Sequence, residues 1–159
     1  MSTQKITMLL LITFGLMGCC TKKTAFVDTE STISSVDTRK LLQEDFTKTA
    51  GSNKVYFAFD SFDLSEEAKE TLKKQAKWLK SNTINMVMIG GHCDDIGKMA
   101  YNTDLGLKRA ESVRSFLIKQ GVDKEILSVI SCGEENPEFL EHSQKAHRLN
   151  RKAVVIIMN

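Results

Sequence analysis

The chain has 159 residues, of which 42% are hydrophobic and 26% charged, and its 22 basic residues nearly balance 20 acidic ones. This length allows one globular domain of ordinary composition but hardly two. A formal net charge of +2 is too small for the phosphate neutralisation on which unspecific nucleic-acid binding depends, so no nucleic-acid partner is expected. Four cysteines are too few for a small scaffold held together by disulfides.

The first 18 residues have the composition of a secretory signal. Lys5 is the only charged residue among them, and residues 6–17 are almost wholly apolar. About 12 apolar residues are fewer than the roughly 20 that a membrane-spanning helix needs. A basic start followed by a short apolar stretch is instead typical of a signal peptide that is removed. We therefore expect residues 1–18 to be a signal peptide.

This signal ends in a motif for lipid attachment. The sequence LMGC at residues 16–19 resembles the lipobox of bacterial lipoproteins, in which the cysteine is lipidated. The resemblance implies acylation of Cys19, and several acyl chains on one residue make a durable membrane anchor. Cys20 stands where an aspartate would favour retention in the inner membrane. The expected location is therefore the outer membrane, with the chain facing the periplasm.

Residues 19–53 are expected to form the lipidated N-terminus and a flexible tether. Eleven of the 33 residues from Thr21 to Asn53 are Ser or Thr, and the hydrophobic residues among them follow no sustained period. Such a composition favours a mostly disordered linker, with at most a short helix over residues 37–46. An alternative stays open for the last ten residues, which could form an edge of the folded domain.

Residues 54–159 carry the periodic patterns of a folded α/β domain. The first predicted helix has Ser65 as its N-cap, and Gly121 stands where the residue that ends the second helix should have a positive φ. Strands are predicted at residues 55–59, 85–91, 126–131 and 153–158, and helices from residue 65 to 79, 99 to 120 and 142 to 149. Strands separated by helices predict an α/β (α+β) sandwich, with one mixed four-stranded sheet packed by two main helices.

The richest polar stretch is GHCDDIG at residues 91–97, where the second strand ends. With the next helix it reads GHCDDIGKMAYNTDLGLKRAESVRSFLIKQGV, which resembles the signature of the OmpA-like peptidoglycan-binding domain. That signature runs G-H-x-D-x-x-G, then Y-N-x-x-L-G/S-x-x-R-A, then G-V. ISCGEENP and HRLNRKAVVII resemble the turn and the final strand of the same family. The resemblance covers all of residues 54–159, and the lipobox points to a lipidated member of the family.

The resemblance implies a site for diaminopimelate in the stem peptide of murein, held by Asp94 and Arg109. The end of that side chain carries an ammonium and a carboxylate on one carbon. Asp94 can accept hydrogen bonds from the ammonium, and Arg109 can offer two parallel donors to the carboxylate. In the family, main-chain groups near Leu105 complete the cradle.

Four further side chains support the pocket by the same similarity: Asp60, Asn102, Asn150 and Arg151. Asn150 and Arg151 are expected to contact the sugar-peptide or to fix a loop. Two alternatives stay open, because Asn102 could only hold loop backbone and Arg151 could be an edge-strand charge that resists edge-to-edge pairing.

Other chemistries are less well supported by the same residues. Residues 92–95 are all possible metal ligands, but consecutive residues on a strand point to opposite faces, so no metal site and no cofactor are expected. The Ser, Cys and His residues show no nucleophile elbow and no His-ligand spacing, so an enzyme is not expected. Cys93 and Cys132 both end strands, and they could form a disulfide in an oxidising periplasm or remain two small buried thiols.

The resemblance also implies the partners of the protein. These are peptidoglycan, the outer membrane through the lipid anchor, and a TolB-like periplasmic protein with other Tol components. The expected function is to tether the outer membrane to the cell wall, for envelope integrity and cell division. The alternative is an envelope scaffold that acts mainly through protein partners and binds murein weakly or not at all.

Overall fold

The structure is a computed structural model that describes the backbone of residues 29–159 and the side chains from residue 36 onwards. The expected signal peptide, residues 1–18, and the expected lipidation site Cys19 lie outside the described residues. Among the helices of the described part, none is long and apolar enough to span a membrane.

Strands and helices alternate after a first long helix. In chain order the elements are α1 (Thr29–Ala50), β1 (Lys54–Tyr56), α2 (Glu66–Ser81), β2 (Val87–His92), α3 (Met99–Lys119), a 3-10 turn (Lys124–Ile126), β3 (Leu127–Gly133), α4 (Gln144–Asn150) and β4 (Lys152–Ile157). The strands lie in the order β1-β4-β2-β3, with β2 parallel to β3 and β4 antiparallel to both of its neighbours. The predicted mixed four-stranded sheet with two main helices is confirmed.

The two main helices, α2 and α3, begin and end close to the predicted residues, because their capping residues lie next to the helix ends in the sequence. The Ser65 hydroxyl accepts a hydrogen bond from the backbone N–H of Ala68 at 3.1 Å and so caps α2. Gly121 follows α3 with a φ of +86°, the left-handed conformation expected there. The predicted inner face of α3 is buried against the sheet: Gly106, Ala110, Val113 and Leu117.

Two glycines bring α3 very close to β2. A Cβ atom on Gly91 would lie 1.9 Å from the carbonyl oxygen of Gly106, far inside any real contact. The backbones therefore touch where β2 ends and α3 passes over it. This contact places the residues that follow β2 beside the first turns of α3, where the predicted site residues lie.

We expect Gly91→Ala to lower the free energy of unfolding by about 2 to 3 kcal/mol, because the added methyl must push the backbone of α3 away from the sheet. The matched control is Gly90→Ala, since a Cβ there first meets the side-chain Sγ of Cys132, at 3.3 Å. Urea denaturation of the two variants measures the difference. An equal decrease in the free energy of unfolding in both variants would contradict the close contact between the backbones of β2 and α3.

The prediction of a mostly disordered tether over residues 19–53 is wrong from residue 29 onwards, whereas the open alternative, that the last ten of these residues belong to the folded domain, agrees with the structure. Residues 29–50 form α1, which packs on α2 and β4. Phe46 is fully buried, and its ring centroid lies 5.1 Å from that of Trp78. The inward-facing residues of its second half recur at helical spacing: Arg39, Leu42, Gln43, Phe46, Thr47 and Ala50. Only a few of these are apolar, so the helix depends on tertiary packing that composition does not reveal.

Candidate functional site

The site lies where β2 ends and α3 begins, next to the loop after β1. A cavity of about 220 Å³ is found there. Its lining includes five of the predicted site residues: Asp60, Asp94, Asn102, Leu105 and Arg109. Four other residues complete the lining: Phe59, Ile96, Gly97 and Tyr101. The structure therefore brings the predicted ligand-holding pair, Asp94 and Arg109, to one cavity.

Asp94 is a buried carboxylate with one charged partner. Its Oδ2 accepts a hydrogen bond from Nη1 of Arg151 at 2.8 Å, and the two side chains are 5% and 11% exposed. Arg151 also donates from Nε to the carbonyl of Phe57 at 3.3 Å. No other hydrogen bond to the Asp94 carboxylate comes from the described residues, so its Oδ1 remains available. Arg151 is therefore the counterion of Asp94, and this contact argues against the alternative that Arg151 is only an edge-strand charge.

Arg109 is completely buried, and backbone carbonyls hold its guanidinium. Nε donates to the carbonyl of Ser61 at 2.9 Å, Nη1 to that of His92 at 2.8 Å and Nη2 to that of Ala58 at 3.2 Å. Burial lowers the pKa of Arg109. The two parallel donors predicted for a ligand carboxylate are thus engaged within the protein. Arg109 ties the loop after β1 to the end of β2, and so shapes the cavity wall.

Asn102 and Asp60 fix the loops around the cavity. The Asn102 side-chain amide lies within hydrogen-bond distance of the backbone oxygen of Asp94, at 3.2 Å, and of the Glu134 carboxylate, at 2.6 Å. The Tyr101 hydroxyl donates to the Asp60 carboxylate, and this bond raises the pKa of the tyrosine. Asp60 has a φ of +52°, so this loop is held in a conformation that few non-glycine residues adopt. The alternative that Asn102 holds loop backbone agrees with these contacts.

Asn150 does not line this cavity and fixes a loop instead. Its side chain donates to the carbonyl of Phe139 at 2.8 Å and accepts from the Phe139 N–H at 3.1 Å. Close by, the Asp95 carboxylate contacts Nδ1 of His142 at 2.7 Å and Nδ1 of His147 at 3.0 Å. No group of three or more His, Cys, Asp or Glu side chains in the described part of the chain is arranged to hold a metal ion.

Cys93 and Cys132 are free thiols, so of the two alternatives left open for this pair the structure contradicts the disulfide. The Sγ of Cys93 lies on the α3 side of the sheet, 3.2 Å from the carbonyl oxygen of Asn102. The Sγ of Cys132 lies next to Gly90. A Cβ on Gly91 would meet α3, whereas one on Gly90 would meet Cys132, so the two thiols lie on opposite faces of the sheet. Two thiols on opposite faces cannot be joined, and burial raises the pKa of both.

Glu138 fastens the loop between β3 and α4 to the sheet. Its carboxylate accepts hydrogen bonds from Nζ of Lys54 at 2.7 Å and from Nζ of Lys152 at 2.5 Å. These two bonds lower the pKa of Glu138 from 4.5 to about 2. The same loop carries Glu134, which contacts the cavity residue Asn102, so the ion cluster fastens a loop that reaches the cavity.

We expect Glu138→Gln to lower the free energy of unfolding by about 1 kcal/mol near neutral pH, a small value because the carboxylate is 39% exposed. The folded-state pKa is depressed, so the stabilisation is complete above pH 4.5 and disappears as the pH falls through about 2. Urea denaturation across this pH range measures the difference between parent and variant. Glu135→Gln serves as the control, and a difference that persists unchanged at the acid end would contradict the assignment.

Comparisons with known proteins agree with the fold and the motifs. A model of the OmpA family matches residues 56–151. The peptidoglycan-associated lipoprotein of Haemophilus influenzae is 38% identical over 103 residues, which are 65% of this chain and 67% of that protein. The protein of the same description from Rhizobium meliloti is 32% identical over 149 residues, which are 93% of this chain and 84% of that protein.

Solved structures give the same result at the level of the fold. The crystal structure of the peptidoglycan-associated lipoprotein from Burkholderia pseudomallei has a TM-score of 0.65 at 34% identity, covering 68% of this chain and 92% of that one. The C-terminal domain of Helicobacter pylori MotB has a TM-score of 0.63 at 21% identity, covering 67% and 84%. The MotB likeness concerns the fold alone.

Proposed function

Since the chain belongs to the OmpA family, we propose that it is an outer-membrane lipoprotein that binds peptidoglycan through the diaminopimelate of a stem peptide. The binding place is the cavity beside Asp94. One observation carries this proposal: the buried Asp94 lines the cavity, and among the described residues its carboxylate accepts one hydrogen bond, from Arg151 to Oδ2. A partly used carboxylate in such a place suits an ammonium group.

The cation side of the ligand is supported by two carboxylates. Asp94 and Asp60 both line the cavity, and Asp94 is only 4% exposed. An ion pair at low exposure is screened less by water and salt than one on the surface. The exposed rings of Phe59 and Tyr101 stand at the same cavity, where they can cover the apolar arm that leads to the ammonium.

The anion side of the ligand is supported by Arg109 and by the start of α3. The guanidinium of Arg109 keeps its positive charge next to the cavity, and its bond to the Ala58 carbonyl, at 3.2 Å, is the longest of its three bonds to carbonyls. Helix α3 begins at Met99 with no side-chain cap from Lys98. Uncapped N–H groups and the positive end of a helix dipole favour a carboxylate.

The expected affinity for one small ligand is modest. Charge-assisted hydrogen bonds contribute about 1.5 to 3 kcal/mol each, and the loss of translational freedom offsets several of them, so binding on the order of micromolar is expected. Many tethered copies facing one continuous polymer raise the total strength of attachment. Weak single sites are therefore compatible with a firm link between membrane and wall.

The anchor and the partners belong to the same proposal. Two relatives are lipoproteins by name, and the LMGC motif supports lipidation of Cys19. This anchor would place the domain in the periplasm, where a TolB-like protein and other Tol components could reach it, with a role in envelope integrity and cell division. In the alternative function, a scaffold with little murein binding, the protein partners would bind the same surface that faces murein.

Sedimentation with purified murein sacculi tests the proposed function. We expect the chain to pellet with sacculi and to leave them intact, because no group of the cavity is arranged as a nucleophile with a base. Release of soluble muropeptides would instead show an enzyme. A chain that stays in the supernatant would favour the scaffold alternative.

A further inference from the structure

Helix α1 is docked on the sheet through the side chain of Gln43. Strand β1 is short and pairs with β4 only as far as Val154, which leaves the next part of that edge without a strand. There the N–H of Ile157 donates to Oε1 of Gln43 at 2.8 Å, and Nε2 of Gln43 lies 3.4 Å from the carbonyl oxygen of Val155. The glutamine amide thus meets the edge of β4 as the peptide group of a neighbouring strand would.

The rest of the described part of α1 packs mainly on α2, and Leu42 also lies against the core. The main contacts join Phe46 to the Trp78 ring and the Asp45 carboxylate to the Trp78 N–H, at 2.7 Å. Within the described residues, α1 supplies only Phe46 and Ala50 to the buried core. It contributes no strand to the sheet and no residue to the cavity beside Asp94. All four strands and all residues that line the cavity therefore come from the chain after α1.

The chain is fastened again immediately after α1. The Ser52 carbonyl accepts from Nε2 of Gln75 at 2.9 Å, and the Asn53 carbonyl accepts from the N–H of Val155 at 2.8 Å. Between α1 and these bonds lies Gly51, with a φ of +80° and open space where a Cβ would be. Gly51 can therefore act as a hinge, so that α1 moves while β1 and β4 keep their positions.

We propose that α1 is a releasable strut, which detaches from β4 and Trp78 under tension and lengthens the link to the domain while the cavity stays folded. The docked residues 39–50 span about 18 Å as a helix and about 40 Å when extended. Release followed by unfolding of these residues therefore adds about 20 Å to the reach of the domain. The source of the tension rests on the proposed function, because the anchor and the wall would pull from opposite ends. The docking of α1 on β4 and Trp78 does not depend on the proposed function.

Hydrogen exchange on the full chain in detergent tests the strut. We expect the amides of residues 39–50 and of Ile157 to exchange at least 100-fold faster than those of β2, because α1 opens without the sheet. Gln43→Ala should speed exchange in α1 and at Ile157 by a further factor of about 10 and leave β2 unchanged. The control is Glu44→Ala, a neighbouring exposed residue of α1, which should change neither.

Two results would overturn the strut. One is exchange of α1 at the same rate as β2 in the parent, and the other is a Gln43→Ala variant that speeds α1 and β2 equally. Sedimentation of the same variant with sacculi keeps the two proposals apart. The parent and Gln43→Ala should pellet with sacculi to the same extent. If neither pellets, the proposed murein binding is wrong, but the hydrogen-exchange result for α1 still stands.

Discussion

Asp94→Asn is expected to weaken binding to murein by roughly 10- to 100-fold, the range that corresponds to one charge-assisted hydrogen bond. Asparagine has the same shape as aspartate and can still accept from Arg151, so the pocket keeps its form. What is lost is the negative charge that faces the ligand ammonium. We expect the free energy of unfolding to fall by about 1 to 2 kcal/mol, because Arg151 keeps a partner but loses its counterion. Sedimentation at increasing amounts of sacculi measures the binding change.

Asp95→Asn is the matched control for this variant. Asp95 is the next residue in the chain, but its carboxylate is 44% exposed and held by His142 and His147, away from the cavity. We expect it to change murein binding less than twofold. Equal weakening in the two variants would mean that general charge, and not the cavity, governs binding. Unchanged binding in Asp94→Asn would remove Asp94 from the site.

Arg109→Met is expected to lower the free energy of unfolding by about 3 to 5 kcal/mol. The methionine fills much of the same volume, but three carbonyls, those of Ala58, Ser61 and His92, lose their donor. A carbonyl left unpaired in a buried place costs about 1 to 3 kcal/mol. Urea denaturation monitored by hydrogen exchange of the β2 amides measures the loss, because Trp78 fluorescence would also respond to release of α1.

Arg114→Met provides the control on the same helix. Arg114 is 32% exposed and donates to one carbonyl, that of Leu127, at 3.1 Å. We expect a loss of about 1 kcal/mol there. If Arg109→Met cost no more than this control, the carbonyl contacts would not be what holds the loop after β1. Because Arg109 is needed for the fold, murein binding by Arg109 variants is not a clean test of the ligand contact, and Asp94 is the better residue to change.

Local patterns were enough to predict most elements of the domain. The cap at Ser65, the positive φ at Gly121 and the apolar stripe of α3 all depend on residues close in the chain. The strand positions follow from short apolar runs bounded by polar turns. The full length of helix α1 could not be predicted from the sequence, because the helix is held by Phe46 on Trp78 and by Gln43 on a strand edge. Both are contacts between residues far apart in the sequence.

The sequence predicts which residues line the cavity better than it predicts which hydrogen bonds they make. The ordered motif at residues 91–109 brought Asp94 and Arg109 together, and both line the cavity. The motif does not show that Arg109 is satisfied by carbonyls or that Arg151 is the counterion of Asp94, because both facts depend on loops that are distant in the chain. The Tyr101 bond to Asp60 was missed for the same reason, although Tyr101 stands within the motif.

The most direct test of the central claim is a binding titration with two stem peptides, one carrying diaminopimelate and the other lysine at the same position. The lysine side chain ends in an ammonium without the neighbouring carboxylate. It can therefore pair with Asp94, but it brings no acceptor to the N–H groups at the start of α3 and no negative charge to Arg109. We expect the diaminopimelate peptide to bind at least 10-fold more tightly, as one charge-assisted hydrogen bond predicts. Equal affinity for the two peptides would contradict the proposal that this cavity recognises the paired charges of diaminopimelate.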